Sequence, residues 1–558
     1  MVTLLIKPGC RSGLFLKIFL LIQILSLVTR PIFSELPEGK IKKEHLMEDV
    51  RQLVAILEES HPDPYLKGGG KISFHRRFQE VLFQIPEEGL TVNDFYRLLL
   101  PLVASVGDGH TFLLPPWPAG GASILPFQLN IVGQTIYVEG VSRQGLENLW
   151  GARLQAINDI PFPSLLERLK TLVGWDNEYQ LMTNFCRFLN DRGLIKILIP
   201  AWNEQGPLKI EFLLPGGQSY SLEVTLEVKE TGESFEPPSK IKLPSTEKID
   251  FAYNFLDPQK ETALLRLDGM FNYRENFEFF RSMGTSWVIS QAATVYKKFY
   301  QKDPPENLDS LIPALPSATE TFRQLTIEMK EARSKRLIID LRKNTGGNSL
   351  MANILAYFLF PENEIKQAST SQTIKKLSDL YFANYPNDSL EKINEGRKMA
   401  LARTDYDFAD DPYFQDRFGP ALDKESRKEN WMKMIPTFYT EYRAGLYKNY
   451  YRPAEIIIIS SAWTYSSAYT LMAMFYKMGA KIVGVPSGQA GTCYGDTLNF
   501  RLKNTGIIGY VSHKLFVAFP ENPELGRLLP PQQELTYEDL VRFRFDPNAS
   551  ILLSLEKY

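Results

Sequence analysis

Two adjacent serines, Ser466 and Ser467, interrupt the stretch "IIIISSAWTYSSAYTLMAMF", where a run of isoleucines gives way to a polar turn and then to a second apolar stripe. The pattern reads as strand, turn and helix start. A helix amino terminus carries N–H groups with no partner inside the helix, and these favour a developing anion. A serine held at such a junction can attack a carbonyl while the amide of the next residue stabilises the oxyanion that forms. The same residues also allow a plain capping role for Ser466 or Thr464.

Two other stretches supply what that chemistry needs. "LIIDLRKNTGG" ends a strand in Gly346 and Gly347, where a backbone amide can approach a ligand with no Cβ in the way. "VGDGHTFL" sets His110 between glycine-rich backbone and an apolar strand start. A neutral imidazole there can take a proton from serine and later return it to a leaving amine. A buried, hydrogen-bonded histidine is the competing reading, and Gly-Gly is common in strand-to-helix loops. Spacing alone does not bring the three stretches together.

The elements that must position them belong to a chain of 558 residues, enough for more than one domain. Apolar residues make up 44% and charged residues 23%, and the formal net charge is only -2, so nothing points to nucleic acid. The cysteines, Cys10, Cys186 and Cys493, lie far apart, and the five histidines form no HExxH and no Cys/His cluster. No cofactor or metal is implied. At the amino end Lys7 and Arg11 precede the apolar run Leu14 to Val28, which resembles a signal peptide or membrane anchor over residues 1–30. Export to a periplasmic, cell-envelope or secreted location is the expectation, with a buried amino-terminal helix as the other reading.

Helical spacing of apolar residues marks residues 42–115, with Thr91 and Asp94 resembling a capped helix start. Short strands follow over 120–228, among them "IKILIPAW" and "KIEFLLPGG", and then a turn-rich linker. From about residue 250 strands alternate with helices, which favours an α/β layer with parallel pairing. The charged, aromatic interval 361–451 reads as an insertion, either a substrate-covering lid or a solvated helical elaboration.

The order "GDGHT", "IIDLRKNTGG", "TYSSAY", "VGVPSGQAG" resembles serine peptidase family S41, the carboxyl-terminal processing (tail-specific) and tricorn-type proteases. The resemblance runs from about Lys42 to the carboxyl end. It implies an α/β fold with a ClpP/crotonase-like catalytic core over 250–558, a helical amino-terminal region and a PDZ-like domain over 120–228. "GARLQAINDIPF" matches the PDZ pattern at Gly151, Ile157 and Asn158 and departs from it at Ala152 and Asp159.

The family nucleophile falls on Ser466. Its oxyanion donors fall on Ser467 and on Gly346 or Gly347. One branch of the family carries a lysine about 25 residues after the serine, where this chain has Gly491 in "QAGTCYG". The tricorn-type branch uses a histidine that maps onto His110, and an orienting carboxylate near the carboxyl end, for which Glu521 and Glu524 are the candidates. Tyr469 stands where the family often has glutamate, and Pro530-Pro531 where a Pro-Asp turn is usual.

The resemblance thus implies a serine endopeptidase or carboxyl-terminal processing peptidase acting on peptide or protein substrates through a Ser–His acyl-enzyme. The departures at Tyr469 and Pro530 keep open a catalytically inactive peptide-binding or scaffold protein. Acyl-CoA chemistry on the same core is the third reading, by fold analogy alone.

Overall fold

A strand made from Ile456–Ile459 has no polar side, so it must be covered on both faces. The computed structural model, which describes residues 39–117, 125–226, 234–285, 287–368, 371–408, 424–446 and 450–558, covers it in that way. Glu455–Ser460 runs parallel between Arg336–Asp340 and Lys481–Gly484 in the middle of a six-stranded sheet. Thr262–Leu267 extends the sheet in parallel on one side and Gln533–Glu534 on the other, while Phe251–Phe255 closes one edge antiparallel. The expected leader at 1–30 and Cys10 lie outside the described residues.

The strand period of two sorts the isoleucines between two cores. Ile457 and Ile459 join Leu264, Ile338 and Val483 in a core shared with the antiparallel sheet of residues 127–224. Ile456 and Ile458 join Leu337, Ile339 and Ile482 beneath the helices Ala318–Ala332, Leu350–Leu359 and Ser467–Lys477. Each fully buried isoleucine stabilises the sheet by about 1.5–3 kcal/mol.

The antiparallel sheet is built from Phe127–Val132, Thr135–Val141, Arg153–Ile157, Leu208–Leu213 and Ser219–Val224. A third sheet pairs Thr492–Arg501 with Ile508–Val517, and Phe112–Leu113, just after His110, joins it at Gly509 and Tyr510. The chain between the neighbouring strands Arg336–Asp340 and Glu455–Ser460 sends Gln372–Lys376 into this third sheet. The fold is therefore mixed α/β with several sheets.

Local signals hold in some places and fail in others. Thr91 accepts from the Asp94 amide at the start of Val92–Ala104, as its spacing predicts. "IKILIPAW" instead forms the helix Arg192–Leu198, where a strand is predicted. Asp191 caps that helix by accepting from the Leu194 amide, and Ile195 and Leu198 face the core. Short apolar runs do not separate strand from helix by period, and here the cap decides.

The third sheet also carries a buried histidine. His513 has no solvent exposure, its Nδ1 donates to the Asp496 carbonyl, and the Asp496 carboxylate lies 3.8 Å from Nε2. Burial pushes its imidazole down to about 4; Asp496 opposes that shift, and Lys514 and Lys375 reinforce it. An unfolded histidine protonates near 6.5, so between about 6.5 and 4 the unfolded chain binds more protons than the native one. Stability contributed by neutral His513 is thus complete above about 6.5 and falls by about 3 kcal/mol as pH drops to 4. The variant H513N keeps a donor but does not titrate. We expect it to flatten the dependence of the urea midpoint on pH in that interval; a slope unchanged from wild type would assign the acid sensitivity elsewhere.

Candidate active site

Between the strand Glu455–Ser460 and the helix Ser467–Lys477 the turn is pinned by its own side chains. Ser461 Oγ donates to the Arg342 carbonyl at 2.6 Å, and Thr464 Oγ1 donates to the Leu341 carbonyl at 3.0 Å while accepting from the Ser461 amide. Thr464 is therefore tied to the neighbouring strand end and does not cap the helix. Ser466 makes no side-chain cap bond either. Its backbone sits at φ 54°, ψ -124°, a conformation that costs a non-glycine residue about 1–3 kcal/mol. The Ser466 amide donates to Gln489 Oε1 at 2.6 Å, and its Oγ has no hydrogen-bond partner among the described residues. A serine held off its easy backbone region with a free hydroxyl is presented, not packed.

The Gly-Gly turn lies directly against it. A Cβ on Gly346 would fall 2.5 Å from Ser466 Cβ and 3.1 Å from its Oγ, so only glycine permits this approach. The two glycine amides differ. The Gly346 N–H is given to Asn344 Oδ1 at 2.9 Å, which leaves it uncommitted to any ligand only if Asn344 moves. The Gly347 and Ser467 N–H groups donate to no protein acceptor among the described residues. Ser467 Oγ donates to the Gly347 carbonyl at 2.8 Å, which ties the start of the helix to the Gly-Gly turn. Of the three expected oxyanion donors, Gly347 and Ser467 are free and Gly346 is engaged.

His110 reaches the same place from the helical amino-terminal part of the chain. Its imidazole stacks on the ring of Tyr465, the residue before Ser466, with centroids 4.6 Å apart. Nδ1 is 3.0 Å from Tyr465 Oη, which is in turn 3.0 Å from Asp176 Oδ2. No hydrogen bond joins Ser466 Oγ to His110 in this structure; such contacts commonly tighten only once substrate is bound.

The turn that carries His110 is organised by Asp108, which is fully buried. Its carboxylate accepts from the His110 amide, the Thr111 hydroxyl and the Ser512 hydroxyl, and His61 Nε2 stands 3.4 Å away. Burial alone would raise the Asp108 carboxyl, but His61, His110 and Ser512 outweigh it and hold the group well below the usual carboxylate range. Asp176 has the opposite balance. Burial raises its carboxyl, and the pull of His110 does not cancel that effect beside Asp108.

Glu521 and Glu524 do not take the orienting place expected of them. Both are exposed, Glu524 pairs with Arg527 on the surface, and neither makes an ion pair or hydrogen bond with His110. Sites of that kind need a desolvated carboxylate; Asp108 is buried beside the imidazole and Asp176 is half-buried there. Reasoning along the sequence missed Asp108, Asp176, Tyr465 and Gln489. Asp108 and Tyr465 stand next to the quoted motifs, and Gln489 lies inside "VGVPSGQAG". Asp176, in "GWDNEYQ", has no local signal and comes to the site only through folding.

Residues 302–516 match the family model described as Peptidase family S41. That segment belongs to peptidase family S41. It contains Ser466, Ser467, Gly346 and Gly347, while His110 and Asp176 lie outside it. No curated protein matches the chain. Among solved structures, mature CPAF aligns with 13% identity and a TM-score of 0.52, covering 92% of this chain and 98% of its own. Mature CPAF complexed with lactacystin gives 14% identity, a TM-score of 0.53 and coverages of 92% and 99%. At that identity the likeness concerns the fold.

Gly347 offers a test of how tightly this S41 turn is built. It has φ 139°, and a Cβ there would lie 2.2 Å from the Met270 carbonyl oxygen, whereas Gly445, φ 70°, has open space around it. Replacing Gly445 by alanine is expected to cost about 1 kcal/mol from backbone conformation alone. Replacing Gly347 is expected to cost clearly more, because the backbone must also move off Met270. Urea midpoints of the two alanine variants check this, and equal midpoints would show that the turn yields freely.

Proposed function

We propose that this chain is a serine-type peptidase that cleaves peptide bonds through an acyl-enzyme on Ser466. The observation that carries the reading is the Ser466 turn itself: a strained backbone, a free hydroxyl, and two uncommitted amides held beside it. In the mechanism, His110 takes the Ser466 proton as Oγ attacks the substrate carbonyl. The oxyanion is bound by the Gly347 and Ser467 N–H groups, the second reinforced by the helix Ser467–Lys477. The protonated imidazole then gives its proton to the leaving amine; water, deprotonated by the same imidazole, attacks the acyl carbonyl, and the imidazole returns that proton to Ser466 Oγ as the acid leaves.

The S41 segment and the likeness to CPAF support a ClpP/crotonase-like reading of the parallel sheet and its helices. In the same reading the antiparallel sheet is a PDZ-like domain, with domains at 42–115, 120–228 and 250–558; the partial match of "GARLQAINDIPF" at Gly151, Ile157 and Asn158 is what favours it. Peptides and proteins are the substrate class in this proposal, with internal or carboxyl-terminal cleavage to be distinguished by product analysis. The apolar run at 14–28 supports export.

The test is covalent labelling by a fluorophosphonate probe, with folding followed by circular dichroism. Wild type is expected to label, S466A not at all, and H110A about 100- to 10,000-fold more slowly. A folded wild type that fails to label, with peptides admitted to the site, would overturn the peptidase reading in favour of a binding protein.

A further inference from the structure

The imidazole of His110 has two ring nitrogens, and only one arrangement of its protons lets it act as a base toward Ser466. The nitrogen facing serine must carry a lone pair, which requires the proton on the other. What lies at Nδ1 therefore decides whether the site works. Asp108 is not that partner: its Oδ1 is 4.0 Å from Nδ1, beyond hydrogen-bond range, and it is already occupied by the His110 amide. The group at hydrogen-bond distance is the hydroxyl of Tyr465.

We infer that Tyr465 and Asp176 are positioning residues that fix the His110 tautomer through a hydroxyl relay, an inference that rests on the serine-peptidase reading above. Tyr465 Oη has one proton and two neighbours, Nδ1 of His110 and Oδ2 of Asp176, each at 3.0 Å. An ionised carboxylate only accepts, so the hydroxyl proton goes to Asp176 and Oη accepts from Nδ1–H. Nε2 is left with its lone pair. When it takes the Ser466 proton, the positive imidazolium remains joined through the phenol to a half-buried negative carboxylate. The phenol itself stays protonated throughout, since burial and then Asp176 and Asp108 push it well above its ordinary range.

The surroundings are built for this contact. Asp176 Oδ1 accepts from the Gly109 amide at 3.2 Å, and its own amide donates to Gln180 Oε1 at 2.6 Å. A Cβ on Gly109 would fall 2.5 Å from Tyr465 Oη and 2.2 Å from Gln180 Nε2, so the relay is seated in a space only glycine leaves open. The relay also reverses with protonation. A protonated Asp176 donates to Oη, the phenol then donates to Nδ1, and the proton of His110 moves to Nε2, which can no longer accept from serine. The groups that set this titration are His110, Asp108, Lys67, Tyr465, Cys493 and the Gly109 amide. Burial raises the carboxyl; His110, Lys67 and Gly109 oppose, and Asp108 reinforces. Base activity is thus expected above the Asp176 titration and lost as pH falls through it.

The experiment measures fluorophosphonate labelling rates from pH 5 to 9 for the full chain, Y465F and D176N, with S466A and H110A beside them. Y465F and D176N are expected to lose about 100- to 10,000-fold at neutral pH, and D176N is expected to lose the acid limb assigned to Asp176. Rates in Y465F within about twofold of wild type, while H110A is inactive, would overturn the relay and leave the Ser–His reading standing. Unlabelled wild type would overturn both. A second measurement does not depend on whether Y465F and D176N fold: ¹⁵N shifts of His110 in S466A. A protonated Nδ1 and bare Nε2 at neutral pH, inverting as pH falls, supports the relay; the reverse tautomer at neutral pH overturns it.

Discussion

The backbone of Ser466 is the constraint around which the rest is arranged. At φ 54°, ψ -124° it cannot sit comfortably, and a turn that relaxed would swing the hydroxyl back toward an ordinary capping position. What prevents relaxation is a ring of fixed neighbours. Thr464 and Ser461 tie the turn to Leu341 and Arg342, Gln489 holds the Ser466 amide, and Gly346 closes against its Cβ. The strand behind it contributes Ile457, Ile458 and Ile459, all without exposure, and at about 1.5–3 kcal/mol each they outweigh the strain of one residue. The sheet therefore stabilises a local geometry that the turn would not adopt by itself.

The second half of the site depends on how two carboxylates, Asp108 buried and Asp176 half-buried, divide their roles. Asp108 has three hydrogen-bond donors and an imidazole facing it, and it stays ionised despite burial. Asp176 has fewer donors, and desolvation first and then the like charge of Asp108 raise its carboxyl against the pull of His110 and Lys67. Environments that push two neighbouring groups apart in this way separate a carboxylate held ionised from one that takes a proton more readily. Asp108 holds the loop; Asp176 is placed where its charge is felt at the imidazole.

How much of this could be read from the chain follows the distance over which each feature is determined. The strand, turn and helix around Ser466 and the Gly346-Gly347 turn are local patterns, and the S41 match covers both. Thr91 was legible for the same reason. "IKILIPAW" was not, because a short apolar run lacks a decisive period and its cap, Asp191, lies just upstream. The orienting carboxylate was sought near the carboxyl end, at Glu521 and Glu524, by position along the chain. Both lie away from His110, and the carboxylate joined to its ring through Tyr465 is Asp176, from a turn before the helix Glu178–Phe188 that carries no motif. Tyr465 was visible in "TYSSAY", yet its hydroxyl matters only because two distant segments converge on it.

That convergence explains why the site draws on separate parts of the fold. Ser466 comes from the parallel sheet, His110 from a turn docked on the third sheet through Phe112–Leu113, and Asp176 from the region of the antiparallel sheet. Distances of 3.0 Å on both sides of Tyr465 Oη survive only if all three keep their mutual positions. Asn177 helps to keep them there, capping the helix Glu178–Phe188 while donating to the Ser487 carbonyl in the loop that also supplies Gln489. Gln489, which holds the Ser466 amide, and Asp176, which meets the His110 ring through Tyr465, are thereby fastened to each other. Displacing the antiparallel sheet would disturb the Ser466 turn and the His110 ring together, which ties the geometry of one turn to the docking of a whole layer.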